Sequence, residues 1–276
     1  MNKQEIINFL RVNEIWAKKS MGQNFLIDNR ALTRIVEAAD LDSADTVIEI
    51  GPGLGVLTAE LLKRAKKVIA IEKDDKLAQA LKFKIQNPNV KILNQDALKY
   101  NSSEIGKYKV VANIPYNITS LIIRKFSEAE NKPQLLVLLV QKEVAERIVA
   151  KPGEMSLLSV SVQYYAEPRI ISIVPAASFF PAPKVDSAII KLKIKSSEAK
   201  VPEKEFFRLV KFGFSAKRKT LENNLAAGMH IPKNAARDII KRAGLDANVR
   251  AEALSIADWI KLFETIKEEK GGEKEA

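Results

Sequence analysis

The chain has 276 residues, 46% apolar and 29% charged, with 45 Lys and Arg against 34 Asp and Glu for a formal net charge of +11. That length suits one large domain, or a large and a small one, with a sizeable core, and the basic excess favours a polyanionic partner, nucleic acid before an anionic membrane surface. With no cysteine and a single histidine, a disulfide framework, a thiolate metal site and thiol redox catalysis are excluded, little remains for imidazole chemistry, and no metal is expected.

The start, Met1-Asn2-Lys3-Gln4-Glu5, leads into a short amphipathic stretch without the apolar core of a secretory signal. The longest aliphatic run, Leu135–Val140, is far too short to span a bilayer. A cytoplasmic location and no membrane association are therefore expected. Gln23-Asn24 read as turn residues leading to Asp28, a plausible helix N-cap. From Thr46 to Gln141, β-branched apolar runs (Thr46–Ile50, Lys67–Ile71, Asn89–Leu93, Lys109–Ile114 and Leu135–Val140) alternate with helix-like stretches at Leu57–Arg64, Asp75–Gln86, Thr119–Phe126 and Lys142–Ala150. Such alternation predicts parallel strands joined by crossover helices.

Val47-Ile48-Glu49-Ile50 runs straight into Gly51-Pro52-Gly53-Leu54-Gly55, which puts the glycines at a strand-to-helix turn where backbone can approach a ligand. A dinucleotide loop wants glycine or alanine five positions after the first glycine, and Val56 stands there, so the G-x-G-x-G spacing leans toward S-adenosyl-L-methionine, which has no pyrophosphate to cradle. A glycine turn of purely structural use is the competing reading. Glu72, after the second strand, is placed to accept both ribose hydroxyls, or else is a solvated capping acid. Asp96, after the third, is placed to accept from the cofactor's adenine amine, or else is the N-cap of the helix that follows.

Asn113-Ile114-Pro115-Tyr116 is the most informative segment. A flat base can stack on Tyr116 while its exocyclic amine donates to the Asn113 side-chain oxygen and to a neighbouring backbone carbonyl, held in place by the fixed φ of Pro115. The lone pair of that amine is delocalised into the ring, so two acceptors that take its N–H bonds also aim it at an electrophilic methyl. No strong general base is required. A second ring would sandwich the base, and Phe179 or Phe180 is the candidate; the alternative is that Tyr116 and Phe179 are core aromatics at strand ends.

Farther on, an apolar helix is predicted around Ser156–Ala166, then alternating strands at Arg169–Val174 and Val185–Lys195, separated by the Pro175–Pro183 connection and closing the sheet edge as an antiparallel pair. The polar, proline-punctuated stretch Lys195–Glu203 reads as a linker. Helices follow at Glu205–Phe214, Lys217–Ala227, Lys233–Ala243 and Ser255–Lys267, with Gly213, Gly228 and Gly244 near the breaks, and the charged tail Glu268–Ala276 is expected to fray. Domains at residues 1–195 and 205–276 result. Between Lys211 and Arg242 stand eight Lys or Arg residues against Glu222 and Asp238, a phosphate-gripping surface or a solvated basic face. Lys18 and Lys19 are candidates to extend it.

At these residues the chain resembles the rRNA adenine dimethyltransferases that modify two adjacent adenines near the 3′ end of small-subunit rRNA. The likeness runs almost end to end: Gly22-Gln23-Asn24-Phe25-Leu26, Glu49-Ile50-Gly51-Pro52-Gly53, Gln95-Asp96-Ala97, Asn113-Ile114-Pro115-Tyr116-Asn117, Gln141-Lys142-Glu143, Pro181-Ala182-Pro183-Lys184-Val185-Asp186-Ser187, Lys217-Arg218-Lys219-Thr220-Leu221 and Arg250-Ala251-Glu252. The resemblance implies a Rossmann-like α/β methyltransferase fold of seven strands with a smaller all-helical C-terminal domain. It also implies cofactor contacts from Asn24, Leu26, Gly51, Glu72, Asp96 and Asn113, joined by Gly53 of the glycine turn. Catalytic roles fall to Asn113, Tyr116 and, as the better of the two phenylalanines, Phe179. RNA contacts fall to Lys217, Arg218 and Lys219. The implied partner is small-subunit rRNA within a pre-assembled small ribosomal subunit, engaged by a monomer in a step that serves subunit assembly. One departure is local: the family usually carries a Tyr-Gly pair just before Leu158-Ser159-Val160, where this chain has Met155-Ser156-Leu157 after a Lys151–Glu154 loop.

Three other functions share parts of this pattern. A large-subunit rRNA dimethyltransferase conferring macrolide resistance would share clamp and fold, but the helical-domain and Pro181–Ser187 matches favour the small-subunit enzyme. A nicotinamide dehydrogenase would share only the glycine turn. A non-catalytic assembly factor would have no need of Glu72, Asp96, Asn113 and Tyr116 together.

Overall fold

A computed structural model describes residues 1–16, 22–195 and 201–272; Lys18, Lys19 and most of the expected linker lie outside them. The chain separates into two compact units, Met1–Glu146 with Ala166–Lys195, and Arg147–Tyr165 with Ser196–Ala276. The segment Arg147–Tyr165, expected in the first domain by its place in sequence, thus belongs to the second.

In the first unit, β2 (Thr46–Ile50), β3 (Lys67–Glu72), β4 (Val90–Asn94), β5 (Lys109–Asn113) and β6 (Leu135–Gln141) are parallel neighbours. The order β4-β3-β2-β5-β6 is extended by β9 (Ser187–Ile194), antiparallel to β6, and by β7 (Ala166–Val174), antiparallel to β9. The alternation of strand and helix led to this expectation, and the reason lies in burial. Leu135–Val140 is buried along its whole length, because crossover helices cover both faces of a parallel sheet and select continuous rather than alternating apolar runs. Helices α2 (Asn29–Ala38), α3 (Val56–Leu61), α4 (Asp75–Lys84) and α5 (Thr119–Ser127) belong to this unit, as does α1 (Lys3–Val12), and α6 (Lys142–Ile148) follows β6.

Two elements were given no bounds by the sequence reading. Helix α2 follows Asp28, the expected N-cap, which accepts from the Arg30 and Ala31 amides at 2.8 and 3.3 Å, and it buries Ala31, Leu32, Ile35 and Val36. The second is a two-residue antiparallel pair, β1 (Phe25–Leu26) with β8 (Phe179–Phe180), in register Phe25↔Phe180 and Leu26↔Phe179. The Ile27 amide extends it to the Ser178 carbonyl at 2.9 Å. Its effect is to moor the Gly22–Leu26 segment to the connection before β9.

The second unit is helical: α7 (Leu157–Tyr165), α8 (Glu203–Gly213), α9 (Leu221–Met229), α10 (Lys233–Arg242) and α11 (Ile256–Gly272). Phe206, Val210, Leu225, Ala236, Ile240, Trp259 and Leu262 form its core. Helix α9 starts at Leu221 under a Thr220 cap, four residues later than the spacing predicts, so Lys217, Arg218 and Lys219 lie in the turn before it. The Lys151–Glu154 loop and Met155, where the sequence departs from the family it resembles, are anchored within this unit. Gly153 and Met155 amides both donate to the Glu252 carbonyl, at 2.8 and 3.1 Å, and Ser156 caps α7 through Ser159. Among the described residues no helix is long and apolar enough to cross a membrane, and no group of three or more His, Cys, Asp or Glu could hold a metal ion.

Candidate active site

A cavity of about 260 Å³ opens at the carboxyl ends of β2, β3 and β5 in the first unit, lined by Asn24, Leu26, Glu49, Gly51, Gly53, Glu72, Asp96, Asn113 and Tyr116 among others. This is the crevice that open α/β sheets offer to ligands. Every residue expected to touch a cofactor is on its wall, and so are Asn113 and Tyr116 of the clamp.

The glycine turn leaves β2 with Gly51, Gly53 and Gly55 at φ of +66°, +53° and +74°, a left-handed course that side-chain-bearing residues rarely take. Gly55 is also forced by packing, since an added Cβ would collide with Leu81 and Ile85. Gly51 is different: the nearest atom to its would-be Cβ is the Asn113 carbonyl oxygen at 3.7 Å, so bareness there keeps the cavity wide. Behind the turn, Lys84 Nζ donates to the Leu54 carbonyl at 2.8 Å, and Ile6 and Leu10 of α1 pack with Phe25, Leu54 and Leu77. Sequence reasoning gave α1 and Lys84 no part in this site; the amphipathicity of Lys3–Val12 was the available signal.

Glu72 ends β3 with its carboxylate turned back to the turn. Oε2 accepts from the Gly53 amide at 3.1 Å and Oε1 from the Asp74 amide at 2.9 Å. Burial pushes its carboxyl above its ordinary value, and these amides oppose the shift. Each oxygen retains a further lone pair for a hydroxyl. Asp96 caps the single 3-10 turn Ala97–Lys99 through the Leu98 amide at 2.9 Å, as the capping reading expected, while lining the cavity. Its other oxygen accepts from Lys73 Nζ at 2.8 Å, and this ion-paired hydrogen bond holds its carboxyl below the ordinary value. Lys73, a cavity residue to which the sequence reading gave no part, directly follows Glu72, and that adjacency was its only signal.

Glu49 is the other residue without an expected role. It is 1% exposed, one of its carboxyl oxygens has no hydrogen-bond partner, and burial, with Glu72 nearby, drives its carboxyl to about 8. It is therefore largely protonated at neutral pH.

At the clamp, Asn113 Nδ2 donates to the Asn24 carbonyl at 3.2 Å, and Asn24 Nδ2 in turn donates to the Gly22 carbonyl at 3.1 Å. A would-be Cβ at Gly22 comes within 3.2 Å of Pro115 Cβ. The Gly22–Leu26 segment and the clamp are thus one hydrogen-bonded assembly, in which a carbonyl acceptor dictates that the nitrogen of the Asn113 amide points to Asn24. The amide oxygen is left as the acceptor. Tyr116 opens a 3-10 turn, Tyr116–Ile118, and its hydroxyl lies 2.7 Å from Ser187 Oγ.

Phe179 is not among the cavity residues. It is 3% exposed and packs in the sheet core with Leu26, Leu139, Val174 and Ile189, as the alternative reading of a core aromatic expects, while Phe180 is half-buried with Lys3 Nζ 5.4 Å from its ring centre. In the second unit Lys217, Arg218 and Lys219 are exposed. Buried Asn224 shapes their turn by donating to the Gly213 and Ala216 carbonyls at 2.6 and 3.1 Å. Arg237, by contrast, is engaged with Glu222 at 3.2 Å.

Comparison with known proteins places the chain in a family. The family model described as ribosomal RNA adenine dimethylase matches residues 15–268. A protein named ribosomal RNA small subunit methyltransferase A from Dehalococcoides mccartyi is 50% identical over 251 residues, covering 88% of this chain and 86% of the relative. One of the same name from Clostridium botulinum is 43% identical over 276 residues, covering 96% and 98%. Among solved structures, a dimethyladenosine transferase from Plasmodium falciparum superposes with a TM-score of 0.78 at 31% identity, covering 88% of this chain and 98% of that one. The 23S rRNA methyltransferase ErmE gives 0.74 at 29% identity, covering 88% and 100%.

Proposed function

The chain belongs to the ribosomal RNA adenine dimethylase family, and from that premise we propose that it transfers methyl groups from S-adenosyl-L-methionine to the exocyclic amines of two adjacent adenines near the 3′ end of small-subunit rRNA. The observation that carries the reading is the orientation of Asn113: with its nitrogen committed to the Asn24 carbonyl at 3.2 Å, its oxygen is the group available to an incoming amine. The names of the relatives favour the small subunit over the large.

The cavity fits the cofactor in its donors and its bareness. Glu72 offers acceptors for vicinal hydroxyls, Asp96 an acceptor for an aromatic amine, Gly51 and Gly53 an unobstructed wall, and Asn24 and Leu26 the facing segment. When bound, S-adenosyl-L-methionine supplies an electrophilic sulfonium methyl. The residues of the chain do the rest by placement. Tyr116 takes the face of an everted adenine, a contact worth about 1–3 kcal/mol per base. Asn113 Oδ1 and a backbone carbonyl of the Ile114-Pro115 turn accept the two N–H bonds and turn the lone pair toward the methyl. The nitrogen becomes acidic as the new bond forms, so its proton leaves without a strong base, in keeping with the single histidine. Phe179 can reach the base as a second ring only by leaving its seat beside Leu26 and Val174.

Lys217, Arg218 and Lys219 would hold phosphates, which position the RNA without reading its sequence. We place the reaction in the cytoplasm, on a pre-assembled small subunit, carried out by a single chain in service of subunit assembly. The test is to incubate the protein with labelled cofactor and unmethylated small subunits and map the label. Dimethylation of two neighbouring adenines near the 3′ end is the expected result; label confined to other nucleotides, or cofactor binding without any labelling, would overturn it.

A further inference from the structure

Ser187 is the first residue of β9 and is fully buried. It is paired in register with Gln141 of β6 on one side and Val174 of β7 on the other. The residue before it is pinned as well, since the Asp186 carbonyl accepts from the Lys142 amide at 3.0 Å and its carboxylate from the Ala176 amide at 3.0 Å. A serine is nevertheless a weak choice for packing at the head of a strand that continues Ala188-Ile189-Ile190, and a hydroxyl buried there needs a hydrogen-bond partner. That partner is the Tyr116 hydroxyl, 2.7 Å away across 71 residues of sequence.

The contact constrains more than a hydroxyl. Tyr116 stands in a 3-10 turn entered through Pro115, so its Cα end is already stiff, and a hydrogen bond at Oη fixes the opposite end of the ring. The bond at Oη fixes the direction of the ring's long axis and, because a phenolic O–H prefers the ring plane, biases rotation about it; together these decide whether an adenine lying on the ring presents its amine to Asn113 Oδ1. Burial raises the Tyr116 phenol above its ordinary value, so it remains a neutral hydroxyl able to donate or accept.

We propose that Ser187 is a positioning residue for adenine methylation, its hydroxyl setting the plane of the Tyr116 ring on which the target base stacks. This rests on the reading of Tyr116 as the stacking face. The experiment is a double-mutant cycle: kcat and KM for methylation of unmethylated small subunits by the wild type, Ser187→Ala, Tyr116→Phe and the combined variant, with cofactor affinity and melting temperature measured alongside. Each single change is expected to lower kcat about tenfold, the scale of one lost hydrogen bond, with cofactor affinity unchanged. The combined variant is expected to be no slower than either single one, because both remove the same contact. Ser187→Thr, which keeps the hydroxyl, should restore turnover.

A wild-type kcat in Ser187→Ala, or a loss of the same size when Ser187→Ala is made in the Tyr116→Phe background, would overturn the proposal. Should Ser187→Ala fail to fold, Tyr116→Phe decides alone, since it deletes the same bond from the half-exposed end; undiminished turnover there is fatal to the idea. Wild-type labelling of rRNA adenines is read in the same assay. Its absence would sink the methylation reading itself, whereas label present with independent, additive variants would sink only the role of Ser187.

Discussion

The backbone amide of Gly53 donates to Glu72 Oε2 at 3.1 Å, although 19 residues separate them. One carboxylate thereby ties the glycine turn to the end of the neighbouring strand and remains on the cavity wall as an acceptor. Glu72→Ala should lose both functions and Glu72→Gln only part of each, since the amide keeps one acceptor oxygen. We expect cofactor affinity to fall by at least about 100-fold for Ala, the lower end for two hydrogen bonds to a charged group, and less for Gln. Calorimetric titration with the cofactor checks the order. Equal losses in the two variants would mean that charge alone matters.

Asn113→Ala separates binding from chemistry. The substitution removes a donor to the Asn24 carbonyl and an acceptor for the substrate amine. The first loss is one neutral hydrogen bond, so cofactor affinity should weaken no more than about tenfold; the second misaims the nucleophile, so kcat should drop by about 100-fold or more. Single-turnover methylation and equilibrium cofactor binding on the same preparation give both numbers. Parallel losses would assign Asn113 chiefly to the cofactor.

Glu49 should make stability depend on pH. Its carboxyl is driven from an ordinary value of 4.5 to about 8 by burial, so between these values the folded chain binds a proton that the unfolded chain has released. The stabilising preference for the neutral form is complete below about pH 4.5 and is lost as pH rises through about 8, on the order of a few kcal/mol in all. Glu49→Gln cannot ionise and should therefore gain stability relative to the wild type between pH 5 and pH 9. Urea unfolding midpoints at both pH values test it, and a difference between the two proteins that does not change with pH would refute it.

How much of this was legible in the sequence depended on whether the signal was local. Four of the five parallel strands announced themselves because Val68-Ile69-Ala70-Ile71 and its counterparts in β2, β5 and β6 are buried on both faces, and a run of β-branched residues is what such a place selects; β4, at the sheet edge, is only partly buried. Glu72 ends β3 and Asp96 stands two residues past β4, so strand placement carried them to the cavity. Ser187 and Lys84 were beyond reach: each acts through a partner, Tyr116 or Leu54, that only the tertiary fold brings near. The two-residue strands Phe25–Leu26 and Phe179–Phe180 are too short to show a period. Arg147–Tyr165 misled for a topological reason, since the chain enters the helical unit, returns for β7 and β9, and enters again; sequence order alone assigns such an excursion to its neighbours.

Phe179 marks the limit of motif reasoning most sharply, because the stacking role and the observed packing make opposite predictions. As a core residue 3% exposed beside Leu26 and Val174, its replacement by Ala should destabilise the protein by about 3–5 kcal/mol. Phe179→Leu should cost far less and, measured well below its melting temperature, should keep most of the wild-type kcat. A Phe179→Leu enzyme that is fully folded by circular dichroism yet slowed 100-fold would show instead that the ring leaves the core to meet the base.

The turn carrying Lys217, Arg218 and Lys219 offers the most direct test of RNA contact. All three side chains are exposed, and their backbone course is set from below by Asn224, whose amide bridges the Gly213 and Ala216 carbonyls. The turn's course is therefore fixed by packing: a buried asparagine spends both its donors on shaping it. Each cation that meets a phosphate releases counterions, contributing about 0.7–0.9 to the slope of log affinity against log salt. Replacing all three with Ala should flatten that slope for small-subunit binding by about 2–3, with cofactor affinity unaltered. Asn224→Ala should flatten it less, by letting the turn wander while the charges remain. A triple variant whose salt dependence matches the wild type would take these residues out of the interface, and would shift attention to Lys211, Lys233 and Lys241, the remaining lysines of the same basic stretch.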